Sequence, residues 1–78
     1  MKRVVLYTRD GCGLCETAKQ VLIAERARTP FELEEIDVEG DDALEMQYGI
    51  RVPVVLLDGE EVFELVVDPD ALSRELAG

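Results

Sequence analysis

The sequence contains no histidine and only two cysteines, Cys12 and Cys15. A structural zinc site takes four cysteine, histidine or carboxylate ligands and is most often built from cysteine and histidine. One copy of this chain therefore cannot assemble a cysteine–histidine zinc site, and we expect no metal bound within it. Three roles remain for the pair: metal or an iron–sulfur cluster held between two chains, thiol redox chemistry, or simple burial in the core.

Basic residues are also scarce, since Lys and Arg number 8 against 18 Asp and Glu, for a net charge of −10. Nucleic acid and anionic membrane surfaces would repel such a charge, so we expect neither as a partner.

Long apolar runs are absent too. No run approaches the ~18 residues of a membrane span, and Thr8 and Arg9 interrupt the first apolar run too early for a secretory signal. We therefore expect a cytoplasmic protein, in a compartment that keeps thiols reduced and disfavours permanent structural disulfides.

The chain length allows one small domain, which we place over residues 1–78 and expect to be a monomer. Val4–Tyr7 is a β-branched and aromatic run that predicts a buried strand. Apolar residues then recur at helical spacing from Leu14 to Leu22, and Glu25 continues this spacing but is not expected in the core. Thr29-Pro30 ends this helix, because the residue before a proline avoids helical angles.

The second half of the chain predicts two helices and three strands. Asp58-Gly59 is the strongest hairpin pattern in the sequence. Aspartates are expected to cap both helices, and Gly49 to follow the first of them as its C′ residue. The predicted elements are a strand over Phe31–Val38, a helix opened by Gly40-Asp41-Asp42, strands over Val54–Leu57 and about Glu61–Val67, and a last helix begun by Asp68-Pro69.

This order, β-α-β-α-β-β-α, indicates an α/β fold with a mixed four-stranded sheet flanked by three helices. The first two strands, joined by a helix, should be parallel. The hairpin makes the last two strands antiparallel.

Cys12 falls where the first loop meets the first helix, and Cys15 lies one turn further on. Unpaired N–H groups and the helix dipole favour a thiolate at this end, and the thiolate is the form that attacks disulfides. Arg9 would add positive charge, while Gly11 and Gly13 leave room for a bulky partner. The spacing therefore favours a dithiol in which Cys12 attacks and Cys15 resolves the mixed disulfide.

These segments resemble glutaredoxins, within the thioredoxin-fold superfamily. The stretch LYTRDGCGLC is similar to the glutaredoxin first strand and active-site loop, and IDVEGDDALEMQYGIRVPVVLLDG to the region from the second strand to the hairpin. The resemblance implies a minimal thioredoxin fold, a dithiol oxidoreductase and a cis Val52-Pro53 bond facing the dithiol. The resemblance implies that Arg9, Val52 and Pro53 bind substrate, and we expect Gly11, Gly13 and Arg51 to contribute as well. Leu14 is either an exposed contact of the same site or is tucked against the sheet.

The sequence departs from the usual glutaredoxin pattern at three places. The active site reads Cys-Gly-Leu-Cys instead of Cys-Pro-Tyr-Cys, Arg51 replaces a threonine, and no Gly-Gly turn follows the fourth strand, where Val66-Val67 stands. These changes leave glutathione in doubt as a ligand, and Asp70 without a clear part in holding it. We expect no tightly bound cofactor, a protein or small-molecule disulfide as substrate, and either glutathione or a thioredoxin-reductase-type protein as reductant.

Overall fold

Four strands and three helices follow one another in the predicted order, which confirms the expected α/β architecture. The structure is a computed structural model that describes residues 1–78. No helix has the length and apolarity needed to cross a bilayer. The elements are β1 (Arg3–Thr8), α1 (Gly13–Arg28), β2 (Glu32–Asp37), α2 (Asp42–Tyr48), β3 (Val54–Leu57), β4 (Glu60–Glu64) and α3 (Pro69–Ala77).

The strands form one mixed sheet in the order β2-β1-β3-β4. Strand β1 pairs in parallel with β2, so that Thr8 stands opposite Asp37, and it pairs antiparallel with β3. The predicted hairpin joins β3 to β4, with Asp58 at φ 50° and Gly59 at φ 88°. Two successive positive φ angles are what a tight two-residue hairpin needs, and glycine adopts them without steric cost.

The two faces of the sheet bury two separate apolar clusters. Helices α1 and α3 cover the face of β1 that carries Val4 and Leu6, in a cluster of nine buried residues. Helix α2 covers the opposite face through Tyr48, in a second cluster of five buried residues that also contains Cys15. Because side chains alternate across a strand, β1 contributes to both clusters. The cysteine-bearing end of α1 therefore lies beside the second cluster.

Strand β4 ends at Glu64, so the prediction of a strand reaching Val67 was wrong. Pairing stops because the residue just before β3 is Pro53, which has no N–H to donate. The Pro53 carbonyl still accepts from the Leu65 N–H at 2.8 Å, and Leu65 turns the chain at φ 67°. Val67 leaves the sheet but remains 5% exposed, within the larger cluster.

Glu25 was excluded from the core by its charge, yet the structure leaves it only 4% exposed. Its carboxylate accepts hydrogen bonds from Ser73 of α3 at 3.0 Å and from Arg28 at 2.6 Å. Burial disfavours the charged form, but these hydrogen bonds outweigh it, so the pKa of Glu25 is lowered. The carboxylate can be buried because Ser73 of α3 donates a hydrogen bond to it. The sequence of α1 alone does not reveal this donor.

Gly49 was expected as a left-handed C′ residue, but its φ of −50° and ψ of −41° are right-handed helical. The reason for a glycine is space. A Cβ at this position would lie 2.8 Å from the Glu45 carboxylate and 3.0 Å from the Arg9 guanidinium. The nearest atom to that Cβ would be the Glu45 backbone carbonyl, at 2.5 Å, so the last turn of α2 excludes a side chain here and the ion pair packs beside the same position.

Candidate functional site

Cys12 is the N-cap of α1, and Cys15 lies in the first turn of that helix. The Cys12 sulfur accepts a hydrogen bond from the Cys15 backbone N–H at 3.1 Å. The two residues are joined by a disulfide, with their Cα atoms 5.2 Å apart. Cys12 is half-buried, whereas Cys15 is only 3% exposed. A partner approaching from solvent therefore meets the Cys12 sulfur first.

Glycines flank Cys12 on both sides, and the structure separates their roles. Gly11 has φ +74°, a conformation that other residues adopt with strain. Gly13 is the first residue of α1 and needs no special backbone angle. A Cβ at either position would meet no atom within 4 Å, so the space beside the dithiol is open.

The loop before β3 packs beside the dithiol but does not line the cleft described below. The Val52-Pro53 bond is cis, as the resemblance to glutaredoxins implies. Val52 belongs to the same buried cluster as Cys15, and Cys12 packs against this cluster. The fold thus brings together two segments that are about forty residues apart in the sequence.

A cleft of about 550 Å³ opens beside the two cysteines. Arg9, Gly11 and Gly13 line it together with the disulfide, which places three of the predicted binding residues there. The other residues that line the cleft come from the end of β1, the loop between β1 and α1, the first turn of α1 and the end of β2. They are Thr8, Asp10, Glu16, Glu35 and Asp37.

Arg9 lines the cleft but is paired with a residue on α2. Its guanidinium forms an ion pair with Glu45 and donates a hydrogen bond to the Gly49 carbonyl at 3.2 Å. The expected support of a Cys12 thiolate by Arg9 is therefore weakened, because a neighbouring carboxylate already balances the arginine charge.

Arg51 does not line the cleft. It forms ion pairs with Glu61 at 2.6 Å and Glu64 at 3.0 Å, and its guanidinium lies 5.6 Å from the centre of the Tyr48 ring. These bonds, that to Glu61 above all, raise the pKa of Arg51. The structure therefore assigns this arginine strong contacts with its own chain.

Tyr48 in turn stacks on Tyr7, with ring centroids 4.2 Å apart. Burial, followed by the influence of Tyr48, raises the pKa of Tyr7. The Tyr48 ring thus has Tyr7 of β1 stacked on it and the Arg51 guanidinium 5.6 Å from its centre.

The remaining predicted positions lie around the rim or elsewhere. Leu14 is 49% exposed, so it faces solvent rather than the sheet. Asp68 caps α3 by accepting from the Ala71 N–H at 2.9 Å, as expected, and Asp70 lies exposed in the first turn of α3.

The sequence interpretation overlooked the carboxylates of the cleft and the role of Glu45. Asp10 and Glu16 are close to the cysteines in the sequence and could have been named from proximity alone. Asp37 could have been found from the parallel register, since it stands opposite Thr8. Nothing in the sequence pairs Glu45 with Arg9, which lies 36 residues earlier.

A family model described as Glutaredoxin-like domain (DUF836) matches residues 3–77 of this chain. The chain belongs to this glutaredoxin-like family. Its protein relatives include Rv0508 from Mycobacterium tuberculosis, which is 35% identical over 80 residues. That alignment covers 96% of this chain and 82% of the relative.

Solved structures share the thioredoxin fold of this chain. Protein Ne2328 from Nitrosomonas europaea is 32% identical and superposes with a TM-score of 0.83, covering 95% of this chain and 89% of that one. A mutant thioredoxin from Halobacterium salinarum is 34% identical, with a TM-score of 0.70, and the match covers 96% and 71% of the two chains. The glutaredoxin-like domain therefore combines a thioredoxin fold with a close cysteine pair.

Proposed function

We propose that this glutaredoxin-like domain is a dithiol oxidoreductase that exchanges its Cys12–Cys15 pair with disulfides of a protein or small-molecule partner. The observation that carries the proposal is the unequal exposure of two cysteines that are close enough to form a disulfide. One sulfur is open to a partner, and the second lies behind it within bonding reach. Attack and resolution need this arrangement.

The reaction begins with the reduced dithiol. The Cys12 thiolate attacks one sulfur of the substrate disulfide, forms a mixed disulfide and releases the other substrate sulfur as a thiolate. The Cys15 thiolate then attacks the Cys12 sulfur, closes the intramolecular disulfide and releases the second substrate thiolate. Two electrons pass to the substrate, and the two substrate thiolates are protonated by the protons that the protein thiols gave up.

Three features at the start of α1 support the attack of Cys12 on the substrate disulfide. The helix dipole and the free N–H groups of its first turn favour negative charge on Cys12. The Cys15 N–H already donates to the Cys12 sulfur at 3.1 Å. The open space at Gly11 and Gly13 lets a partner reach that sulfur.

A thiol reductant must return the disulfide to the dithiol. Glutathione and a thioredoxin-reductase-type protein both supply this chemistry, and we favour the protein reductant. Both arginines that could hold a glutathione carboxylate, Arg9 and Arg51, are already paired with carboxylates of this chain.

The alternative of a metal or iron–sulfur carrier shared by two chains is not favoured. Such a site would need thiolates presented outward to a second chain, whereas Cys15 is only 3% exposed. The visible absorption spectrum of the purified protein distinguishes the two functions, because an iron–sulfur carrier would be coloured.

Reduction of a neutral fluorogenic peptide with one disulfide, driven by dithiothreitol, tests the proposed function. We expect the wild-type chain to accelerate the reaction and Cys12→Ser to abolish the acceleration. Cys15→Ser should accumulate a mixed disulfide with the peptide that mass spectrometry detects, since it can attack but cannot resolve. Reaction at the uncatalysed rate with all three chains would overturn the proposal.

A further inference from the structure

The dithiol cleft has one basic lining residue, Arg9, and this residue is neutralised within the chain. Glu45 forms an ion pair with its guanidinium, and the Gly49 carbonyl accepts a second bond at 3.2 Å. Both side chains are about one-third exposed, at 33% and 37%, so the pair is partly shielded from water. Solvent and salt weaken such a pair less than a fully exposed one.

Gly49 makes room for this ion pair. A Cβ there would come within 3.0 Å of both charged groups, and the backbone angles of Gly49 do not themselves need a glycine. The nearest atom to such a Cβ would be the Glu45 backbone carbonyl, at 2.5 Å, so the glycine lets the last turn of α2 close while the Arg9–Glu45 pair packs beside it. Arg9 is held towards α2 by the Glu45 carboxylate and the Gly49 carbonyl.

The other charged residues that line the cleft are all acidic: Asp10, Glu16, Glu35 and Asp37. Lys19 pairs with Glu35 at 3.2 Å and offsets one of these charges. These carboxylates line the same cleft as the Cys12 sulfur, which is the reacting group. With Arg9 balanced by Glu45, a substrate that reaches this sulfur enters a region of negative potential.

We propose that the disulfide this dithiol exchanges with lies in a cationic polypeptide segment, and that Glu45 is a positioning residue for this selectivity because it neutralises Arg9. The inference rests on the proposed function and names its substrate class. Lysine or arginine side chains beside the substrate disulfide would be attracted by the acidic lining, and aspartate or glutamate would be repelled. The thiol–disulfide exchange itself is the same for cationic and anionic substrates. The charge of the cleft therefore changes how readily a substrate binds beside Cys12.

Three fluorogenic peptides with the same disulfide test the proposal, one flanked by lysines, one by glutamates and one by neutral residues. For the wild-type chain at low salt, we expect kcat/KM to fall from the lysine peptide to the neutral peptide and then to the glutamate peptide. The lysine-to-glutamate ratio should shrink at 0.5 M salt, because salt at roughly this level screens charges beyond a few ångströms. This comparison needs no variant.

Glu45→Gln should release Arg9 and lower the lysine-to-glutamate ratio by roughly two- to fivefold, the size expected of one partly exposed charge pair. The double variant Arg9→Gln/Glu45→Gln removes both charges and should restore the wild-type ratio. Glu34→Gln is the matched control. It also takes a carboxylate from an arginine ion pair, with Arg3, but at the other end of β1 from the dithiol.

Equal rates for the lysine and glutamate peptides at low salt would overturn the cationic substrate class. A double variant that keeps the ratio of Glu45→Gln would overturn the role of Glu45 through Arg9. The neutral peptide keeps these failures apart from failure of the function. If the wild-type chain accelerates reduction of the neutral peptide while the lysine and glutamate peptides react at equal rates, the oxidoreductase function stands and the charge selectivity does not.

Discussion

The sulfur of Cys12 accepts a hydrogen bond from the backbone N–H of Cys15 at 3.1 Å. The bond places the sulfur at the end of α1 where backbone donors have no helical partner. Cys15 itself lies in the second apolar cluster, among Val38, Tyr48, Val52 and Val54. The same turn of helix thus exposes one sulfur to donors and solvent and surrounds the other with apolar side chains.

From this difference we predict that Cys12 is alkylated at lower pH than Cys15. Hydrogen bonds and the helix dipole favour the Cys12 thiolate, whereas burial disfavours a Cys15 thiolate. The rate of iodoacetamide alkylation against pH, measured for Cys12 in Cys15→Ser and for Cys15 in Cys12→Ser, gives the two profiles. In urea the two profiles should coincide. Faster reaction of Cys15 at low pH would reverse the assigned roles.

We predict weak activity in a glutathione-coupled assay with glutathione reductase. Arg9 and Arg51 are occupied by carboxylates of the chain, and the Gly-Gly turn of glutaredoxins is replaced by Val66-Val67. Only Val66, at 66% exposure, crowds this surface, because Val67 turns into the core. Loss of one bond to a charged group costs about 1.5–3 kcal/mol, or roughly 10- to 100-fold in affinity.

A dithiol glutaredoxin assayed in parallel provides the reference for this prediction. Equal kcat/KM for glutathione-dependent turnover would show that the chain binds glutathione by other groups, with Asp70 as the first to mutate.

We predict that Glu25 makes folding stability sensitive to acid. Its pKa is lowered in the folded chain, so its contribution is present above the pKa of an unfolded glutamate and is lost as the pH falls through the folded value. Urea midpoints between pH 7 and pH 3 should therefore fall less for Glu25→Gln than for the wild type. Glu75→Gln, at an exposed position of α3, is the control and should follow the wild-type profile.

We predict that Phe31→Ala lowers the free energy of unfolding by about 3–5 kcal/mol, the usual cost of removing a buried phenylalanine. Phe31 is 1% exposed in the larger cluster between the sheet, α1 and α3. Ile50→Ala removes a side chain that is 96% exposed and should change stability by less than ~0.5 kcal/mol. Urea denaturation followed by circular dichroism measures both. Equal losses of stability in the two variants would contradict the assignment of Phe31 to the core and of Ile50 to the surface.

The sequence by itself determined the features that depend on neighbours along the chain. The dithiol at a helix start, the helix caps Asp41 and Asp68, and the Asp58-Gly59 hairpin all follow from residues within a few positions of one another. Turn geometry and capping are local interactions, so residue type and spacing suffice to predict them.

Only the tertiary structure decided which charged groups meet. Glu25 is buried because Ser73 reaches it from 48 positions away, and Arg9 is neutralised because Glu45 lies beside it after folding. The end of β4 likewise depended on Pro53, the residue just before the neighbouring strand β3. A charged side chain can pair with any opposite charge that the fold brings within reach, and the sequence does not say which one. Packing of α2 and α3 against the sheet made that choice, and with it the charge of the cleft beside Cys12.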